Sequence, residues 1–335
     1  NGGGEVWGDT GHVGFAVRGQ DMTMLFPDLF SQAWLLDEAQ GMLSLIIRPG
    51  YLALRGEDIT AKRGDSTIFG EFATTRPLAK YEQRVAVQVN VDTAELADAQ
   101  SYVPYKLSSG LYNWLKTAPK QGRFDNVELA LQGQIHRQPK RKFDRRFELA
   151  GDFSSVEIRY LSEWPVISEA HGRLKVMGQE TAVEVVKGQS LGVAFTQATA
   201  FVNPDGIISL DFVAAPTAAA ALYFIRFSPL QDSLSFVEDD WRTMGDGIID
   251  LTAHLEVPLA RDSADTTNKQ SGTVAPVEFN LAKSGIVANL SMQISAVSID
   301  MPSYKLAIND ITGPANFSLP HHFHGQLKAS MFGRP

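Results

Sequence analysis

The strongest constraint on the fold of this chain is a hydrophobic pattern with a period of two. The segments "RVAVQVNVD", "NVELALQGQI" and "GIVANLSMQIS" alternate apolar residues with mostly polar or small ones, which is typical of strands with one apolar face. Less strict alternation continues through "TAVEVV", "LGVAF" and "GIISLDF", where the connections are too short for a crossover helix between parallel strands. The sequence therefore predicts a large, mostly antiparallel sheet. Its candidate lining positions are Val85, Val87, Val89, Val127, Leu129, Leu131, Leu290, Met292 and Ile294.

Two segments instead show the three-to-four spacing of amphipathic helices. "PYKLSSGLYNWLKTAPKQG" begins after a proline and ends near Pro119 and Gly122, and "SPLQDSLSFVEDDWRTMGDG" has the same punctuation. A shift of about 124 positions lays the strand after the first helix onto the strand after the second, in phase. The helical apolar positions are Leu107, Leu111, Trp114 and Leu115 in the first segment, and Leu230, Leu234, Val237 and Trp241 in the second.

A short phrase also recurs three times. Gly41, Gly172 and Gly313 each follow an acidic residue by three positions, and an apolar residue precedes that acid by two. A repeated strand-turn-strand module that buries its apolar face only against neighbouring copies explains the recurrence. We therefore predict one continuous repeat structure with modules at 1–103, 104–227 and 228–335, the last interrupted by a polar loop at 260–276.

Composition excludes several classes of function. The 335 residues carry a net charge of −8, which argues against nucleic acid as a partner because phosphate binding needs a basic surface. The chain has no cysteine, so thiolate catalysis, zinc-thiolate sites and disulfides are excluded. It opens on "NGGGEVWG", without an initiator methionine or a signal segment, and we interpret it as an excised fragment or trimmed chain.

Three stretches give the chain a family resemblance. They are "SYVPYKLSSGLYNWLKTAPKQGRFDNVELALQGQI", "FELAGDFSSVEIRYLSEWPVISEAHGRLKV" and "YKLAINDITGPANFSL" with the later "GQLKASMFG". Together they resemble the middle region of the YhdP-type, AsmA-like envelope proteins of Gram-negative bacteria, which are related in architecture to TamB and to bridge-like lipid-transfer proteins. The resemblance runs from about Gly14 to Gly333. Its most specific parts are the Gly-Arg-Phe after the first predicted helix and the turn from Tyr160 to Val166.

The resemblance implies a function as well as a fold. It implies an elongated, curved sheet with an apolar groove, standing in the periplasm and carrying phospholipid between the inner and outer membranes. It also implies an inner-membrane anchor in the full-length protein, and it supplies no catalytic residue, metal or cofactor. The alternative is a non-enzymatic structural or assembly module of the envelope, with the apolar rows closed into a sandwich core. Under either reading, the chain is not an enzyme.

Some motifs suggest catalysis or metal binding but are better explained otherwise. "GQSLG" around Ser190 matches a nucleophile elbow, but a strand-like run follows where the elbow needs a helix. "PHHFHG" brings together His321, His322 and His324 without a neighbouring carboxylate, so an exposed loop is favoured over a metal site.

Two charged stretches have similarly simple interpretations. The basic run 137–146 is expected to be a solvated loop, with anionic headgroups as the alternative contact. Glu238, Asp239 and Asp240 are expected to form a solvated face of the second helix. The predicted helices themselves would either plug the groove or pack on its outer surface, and packing is favoured.

Overall fold

A computed structural model describes most of the chain. The described residues are 2–7, 10–25, 32–77, 83–99, 119–135, 145–159, 164–178, 180–204, 207–228, 230–258, 287–318 and 322–331. Three predictions lie wholly or largely outside them. These are the first amphipathic helix, the polar loop at 260–276 and the basic run, of which only Arg145 and Arg146 are described.

The fold is mainly β, and the prediction of antiparallel pairing is confirmed. The strands are β1 Gly2–Trp7, β2 Thr10–Met24, β3 Trp34–Arg48, β4 Tyr51–Arg63, β5 Ser66–Pro77, β6 Gln83–Glu95, β7 Pro119–Ile135, β8 Arg145–Ile158, β9 Ile167–Met177, β10 Glu180–Ser190, β11 Val193–Val202, β12 Ile207–Ala214, β13 Arg242–Met244, β14 Ile248–Pro258, β15 Val287–Met301, β16 Leu306–Ser318, β17 His322–Gly325 and β18 Lys328–Met331.

The chain forms two compact units. The first comprises Asn1–Lys116, Gln121–Ser154 and Arg173–Gln179, and the second comprises Thr117–Lys120, Ser155–Gly172 and Glu180–Pro335. These boundaries do not test the predicted division into three modules, which remains a prediction.

In the first unit, each strand from β1 to β7 pairs antiparallel with the next along the chain. The shortest connections are tight turns, such as the one between β3 and β4. Arg48 pairs directly with Tyr51 across the turn Pro49–Gly50, where Gly50 supplies a positive φ of 87°. Two-residue turns favour such residues because their backbone twist matches that of the flanking strands.

In the second unit, β10, β11, β12, β14, β15 and β16 continue the same antiparallel pattern. β13 and β14 pair with successive parts of β15. β17 and β18 likewise pair with successive parts of β16. The fold of this unit is therefore also a meander, with short strands placed end to end at two positions.

The prediction of a second amphipathic helix is wrong over most of its length. Only Leu230–Ser233 is helical, while Trp241 immediately precedes strand β13. The one helix of more than four residues in the described parts of the chain is Ala218–Arg226. We number the helices α1 Leu96–Ala99, α2 Ala218–Arg226 and α3 Leu230–Ser233, with a 3₁₀ turn at Pro302–Tyr304. Helix α2 begins where Thr217 accepts a hydrogen bond from the amide of Ala220.

The recurring phrase lies within continuous strands and not at turns between strands. Its three copies fall in β3, β9 and β16. In the second and third copies the acid has a left-handed backbone, with φ of 52° at Glu169 and 56° at Asp310. The pairing of β15 and β16 shifts register next to Asp310. The phrase therefore marks irregular positions in long strands, where local twist and bending increase.

Small residues dominate the buried apolar positions. Of the 19 buried hydrophobic residues in the described parts of the chain, ten are alanines. Among side chains less than 2% exposed, the largest is Val156. Most valines, leucines and isoleucines of the strands are instead half-buried. Larger apolar side chains close into small clusters, one around Leu36 in the first unit and one around Val297 in the second.

Candidate functional site

The predicted apolar positions of β6 and β7 lie opposite one another in the first unit. Val87 pairs with Leu131, and Val89 pairs with Leu129. These side chains are half-buried, while the intervening Gln88 is exposed. The strict alternation seen in the sequence thus produces two different sheet faces, one apolar and one polar.

The same apolar face extends onto β5 and β4. Phe72 lies opposite Val87 on one side and opposite Gly56 on the other. A Cβ atom on Gly56 would lie 2.3 Å from the Phe72 ring. The missing side chain of this glycine therefore makes room for the aromatic ring on the apolar face.

In the second unit, Leu290 and Met292 lie on a corresponding apolar face. Leu290 pairs with Ala253 of β14 and with Phe317 of β16. Met292 pairs with Leu251 and with Ala315 in the same way. Ala253 and Ala315 are each 1% exposed, whereas Leu290 and Met292 are half-buried. Large side chains therefore stand beside small, covered ones along this face.

Ile294 is in a different environment from Leu290 and Met292. It packs with Ile249 against a buried cluster formed by Ala218, Val297 and Ile311. Ala218 is the first residue of α2, so the start of this helix covers one end of the apolar face. The helix thus packs on the same face that carries the predicted lining residues, and not on the opposite polar face.

The opposite face of the second unit carries a histidine between two acids. His254 of β14 lies opposite Asp211 of β12, with 2.7 Å between Nδ1 and Oδ1. Its Nε2 lies 3.8 Å from Oε1 of Glu256. The hydrogen bond with Asp211 raises the pKa of His254, and the negative charges of both acids act in the same direction.

The acidic residues after α3 do not form a solvated helix face. Oε1 of Glu238 accepts a hydrogen bond from the Tyr304 hydroxyl at 2.7 Å. Oδ2 of Asp240 accepts from both the amide and the hydroxyl of Ser303, at 2.8 and 2.6 Å. The hydroxyl bond from Ser303 lowers the pKa of Asp240. The segment that carries these carboxylates is a turn and not a helix. Their hydrogen bonds connect this turn to the residues between β15 and β16.

Ser190 is a structural residue. It is 5% exposed, ends strand β10, and donates a hydrogen bond to the carbonyl of Val166 at 3.1 Å. The predicted strand after it is confirmed as Val193–Val202. A strand-turn-strand connection lacks the helix N-terminus that completes a nucleophile elbow.

The histidine motif forms part of an exposed strand. His322 and His324 lie in β17, opposite Ser318 and Asn316, and His321 lies outside the described residues. Within the described ranges, no three histidine or acidic side chains are grouped closely enough to hold a metal ion. None of the helices described there is long and apolar enough to cross a bilayer.

Sequence analysis found the apolar faces but missed two features. The start of α2 was signalled by "PTAAAA", in which a threonine cap precedes a run of the strongest helix former. The His254–Asp211 pair had no local signal, because its members are 43 positions apart. The roles of the nine predicted lining residues in lipid binding stay predictions.

Comparison with known proteins identifies a family. A family model described as YhdP protein matches residues 3–334. No curated protein and no solved structure matches the chain significantly. The match spans almost every residue and agrees with the resemblance found in the sequence motifs. The chain therefore belongs to the YhdP family.

Proposed function

We propose that this chain is a segment of a periplasmic bridge-like lipid-transfer protein, which carries phospholipid along the apolar faces of its sheets. Membership of the YhdP family suggests an envelope protein of the AsmA-like group. The observation that carries the finer proposal is the half-burial of large apolar side chains in register across several strands. In the first unit, Phe72, Val87 and Leu131 form one such row.

The energetics of phospholipid movement fit this arrangement. Each methylene exposed to water costs about 0.8 kcal/mol, so two acyl chains of about 16 carbons cost on the order of 25 kcal/mol. A face made of equivalent apolar rows offers similar contacts at each step, and the charged headgroup can remain in water. In a closed sandwich, by contrast, the large inward side chains would be fully buried.

A charge on the apolar face tests the proposal. We expect Met292→Asp to reduce the transfer of a fluorescent phospholipid between vesicles by about tenfold, because the carboxylate replaces contacts with about two methylenes. Gln293→Asp is the matched control, since Gln293 is the exposed neighbour on the opposite face. Thermal unfolding of both variants checks that the fold persists.

The result also separates a conduit from an assembly module. If Met292→Asp and Gln293→Asp transfer lipid equally well while remaining folded, the apolar face does not carry lipid. Native mass spectrometry of the gently purified wild-type chain gives an independent test. Bound phospholipid supports the conduit, and a lipid-free chain that also fails to transfer lipid favours a structural module.

A further inference from the structure

The polar face of the first unit contains a small basic basin. A cavity of about 150 Å³ lies over Ala53 of β4 and Ala73 of β5, and Arg48, Tyr51 and Arg55 line it. The depression exists because small alanine side chains occupy the central positions between larger neighbours, and Ala53 is only 7% exposed. This face is opposite the one that carries Phe72 and Val87.

A third arginine lies on the same face, next to the edge of the basin. Ala53 lies opposite Thr75 of β5, and Thr75 lies opposite Arg84 of β6. Strands are spaced about 4.8 Å apart, so Arg84 is about 10 Å from Ala53 across the sheet. Arg55 is two residues from Ala53 on the same strand, or about 7 Å away. Arg48 and Arg55 therefore line the basin itself, and Arg84 lies one strand beyond its Thr75 edge.

These arginines are exposed, and none of them forms an ion pair in the described part of the structure. The described part of the structure gives Arg48, Arg55 and Arg84 neither an ion pair nor a side-chain hydrogen bond. By strand periodicity, the nearest carboxylates on this face are Glu57, two residues after Arg55, and Glu71, two residues before Ala73. Three unpaired positive groups around a depression stand out in a chain whose net charge is −8.

We propose that this basin binds a phosphate group carried by an anionic ligand. Arginine presents a planar fork of donors that matches two phosphate oxygens, which a lysine ammonium does not. The hydroxyls of Tyr51 and Thr75 add donors beside it. The ligand is either free phosphate or the headgroup of an anionic phospholipid. The inference does not depend on lipid carriage by the apolar faces.

Vesicle binding and phosphate binding distinguish the two sources. The wild-type chain is mixed with phosphatidylcholine vesicles that contain or lack phosphatidylglycerol, and bound protein is measured by sedimentation. Inorganic phosphate is titrated separately by calorimetry. Binding to the phosphatidylglycerol vesicles identifies a headgroup site, whereas binding of inorganic phosphate alone identifies a site for the free ion. Binding of neither ligand overturns the proposal.

Substitution locates the binding. We expect Arg48→Gln combined with Arg55→Gln to weaken vesicle or phosphate binding about 25-fold, at about fivefold for each charge removed. Lys187→Gln combined with Arg242→Gln removes the same charge from exposed positions of the second unit and should weaken binding by less than about threefold. Equal losses in the two double variants would mean general charge attraction and would overturn the site. If the first variant unfolds, Arg84→Gln serves in its place, with Arg242→Gln as its control.

Discussion

At the scale of single residues, glycines decide where neighbouring strands can approach. Gly313 has a φ of 142°, and a Cβ atom there would lie 2.1 Å from the carbonyl oxygen of Gln326. Gln326 lies in the connection between β17 and β18, and both of these strands pair with β16, which contains Gly313. Gly41 shows a milder case, because its Cβ would lie 3.2 Å from the backbone of Ile59 on β4. The recurring glycines of the sequence phrase thus have a steric reason in these two copies.

We expect Gly313→Ala to lower the free energy of unfolding by about 2 kcal/mol or more, because it adds a backbone clash to an unfavourable φ. Gly245→Ala is the control. Gly245 also has a positive φ, of 77°, but nothing lies within 4 Å of its Cβ position, so about 1 kcal/mol is expected. Urea denaturation measures both. Equal losses would show that the approach of Gln326 imposes no constraint.

The His254–Asp211 pair predicts a pH-dependent contribution to stability. The pKa of His254 is raised in the folded state, so the pair stabilises the protein below the unfolded pKa of about 6.5 and loses its effect as the pH rises through the folded value. Asp211→Asn should therefore cost up to about 1 kcal/mol at pH 5 and little at pH 8, since the pair is exposed.

NMR titration of the imidazole provides a direct reading of this interaction. Asp211→Asn should lower the pKa of His254, whereas Asp250→Asn, at the other end of the same strand face, should leave it nearly unchanged. An unchanged pKa in Asp211→Asn would contradict the assigned hydrogen bond.

At the scale of elements, the strands were predictable, whereas the second predicted helix was wrong over most of its length. Alternation identified β6, β7 and β15 because each contains a run of alternate apolar residues that face one side of the sheet. The segment after Pro229 has helical spacing, but Glu238 and Asp240 bond to Tyr304 and Ser303 instead. Arg226 also donates to the carbonyls of Glu238 and Trp241. These long-range contacts favour a turn, and local periodicity does not report them.

Helix α2 should depend on its threonine cap. Thr217→Ala removes the acceptor for the amide of Ala220, and we expect a loss of about 1 kcal/mol in the free energy of unfolding. Thr252→Ala, on an exposed position of β14, should cost less, and urea denaturation compares the two. If Thr217→Ala costs no more than Thr252→Ala, the cap does not hold the helix start on the apolar cluster.

At the scale of the whole molecule, the alternation predicted which residues share a sheet face. It did not predict which part of that face is covered by other elements. Sequence alone grouped Ile294 with Leu290 and Met292, whereas the structure packs Ile294 beneath the start of α2. That packing involves residues nearly 80 positions apart, so no periodicity in β15 could reveal it. The basic basin was likewise hidden, because Arg48, Arg55 and Arg84 come from three strands.

Site-specific photo-crosslinking of the chain in cells tests the central claim most directly. A photoreactive amino acid is placed in turn on the apolar face and on the adjacent polar face of the same strands, and attached phospholipid is detected by mass spectrometry. The apolar positions are Val89, Leu131, Leu290 and Met292, and the polar controls are Gln88, Gln132, Ser291 and Gln293. The account predicts phospholipid adducts at the apolar positions of both units and few or none at their neighbours. Adducts at neither set, or equally at both, would contradict it.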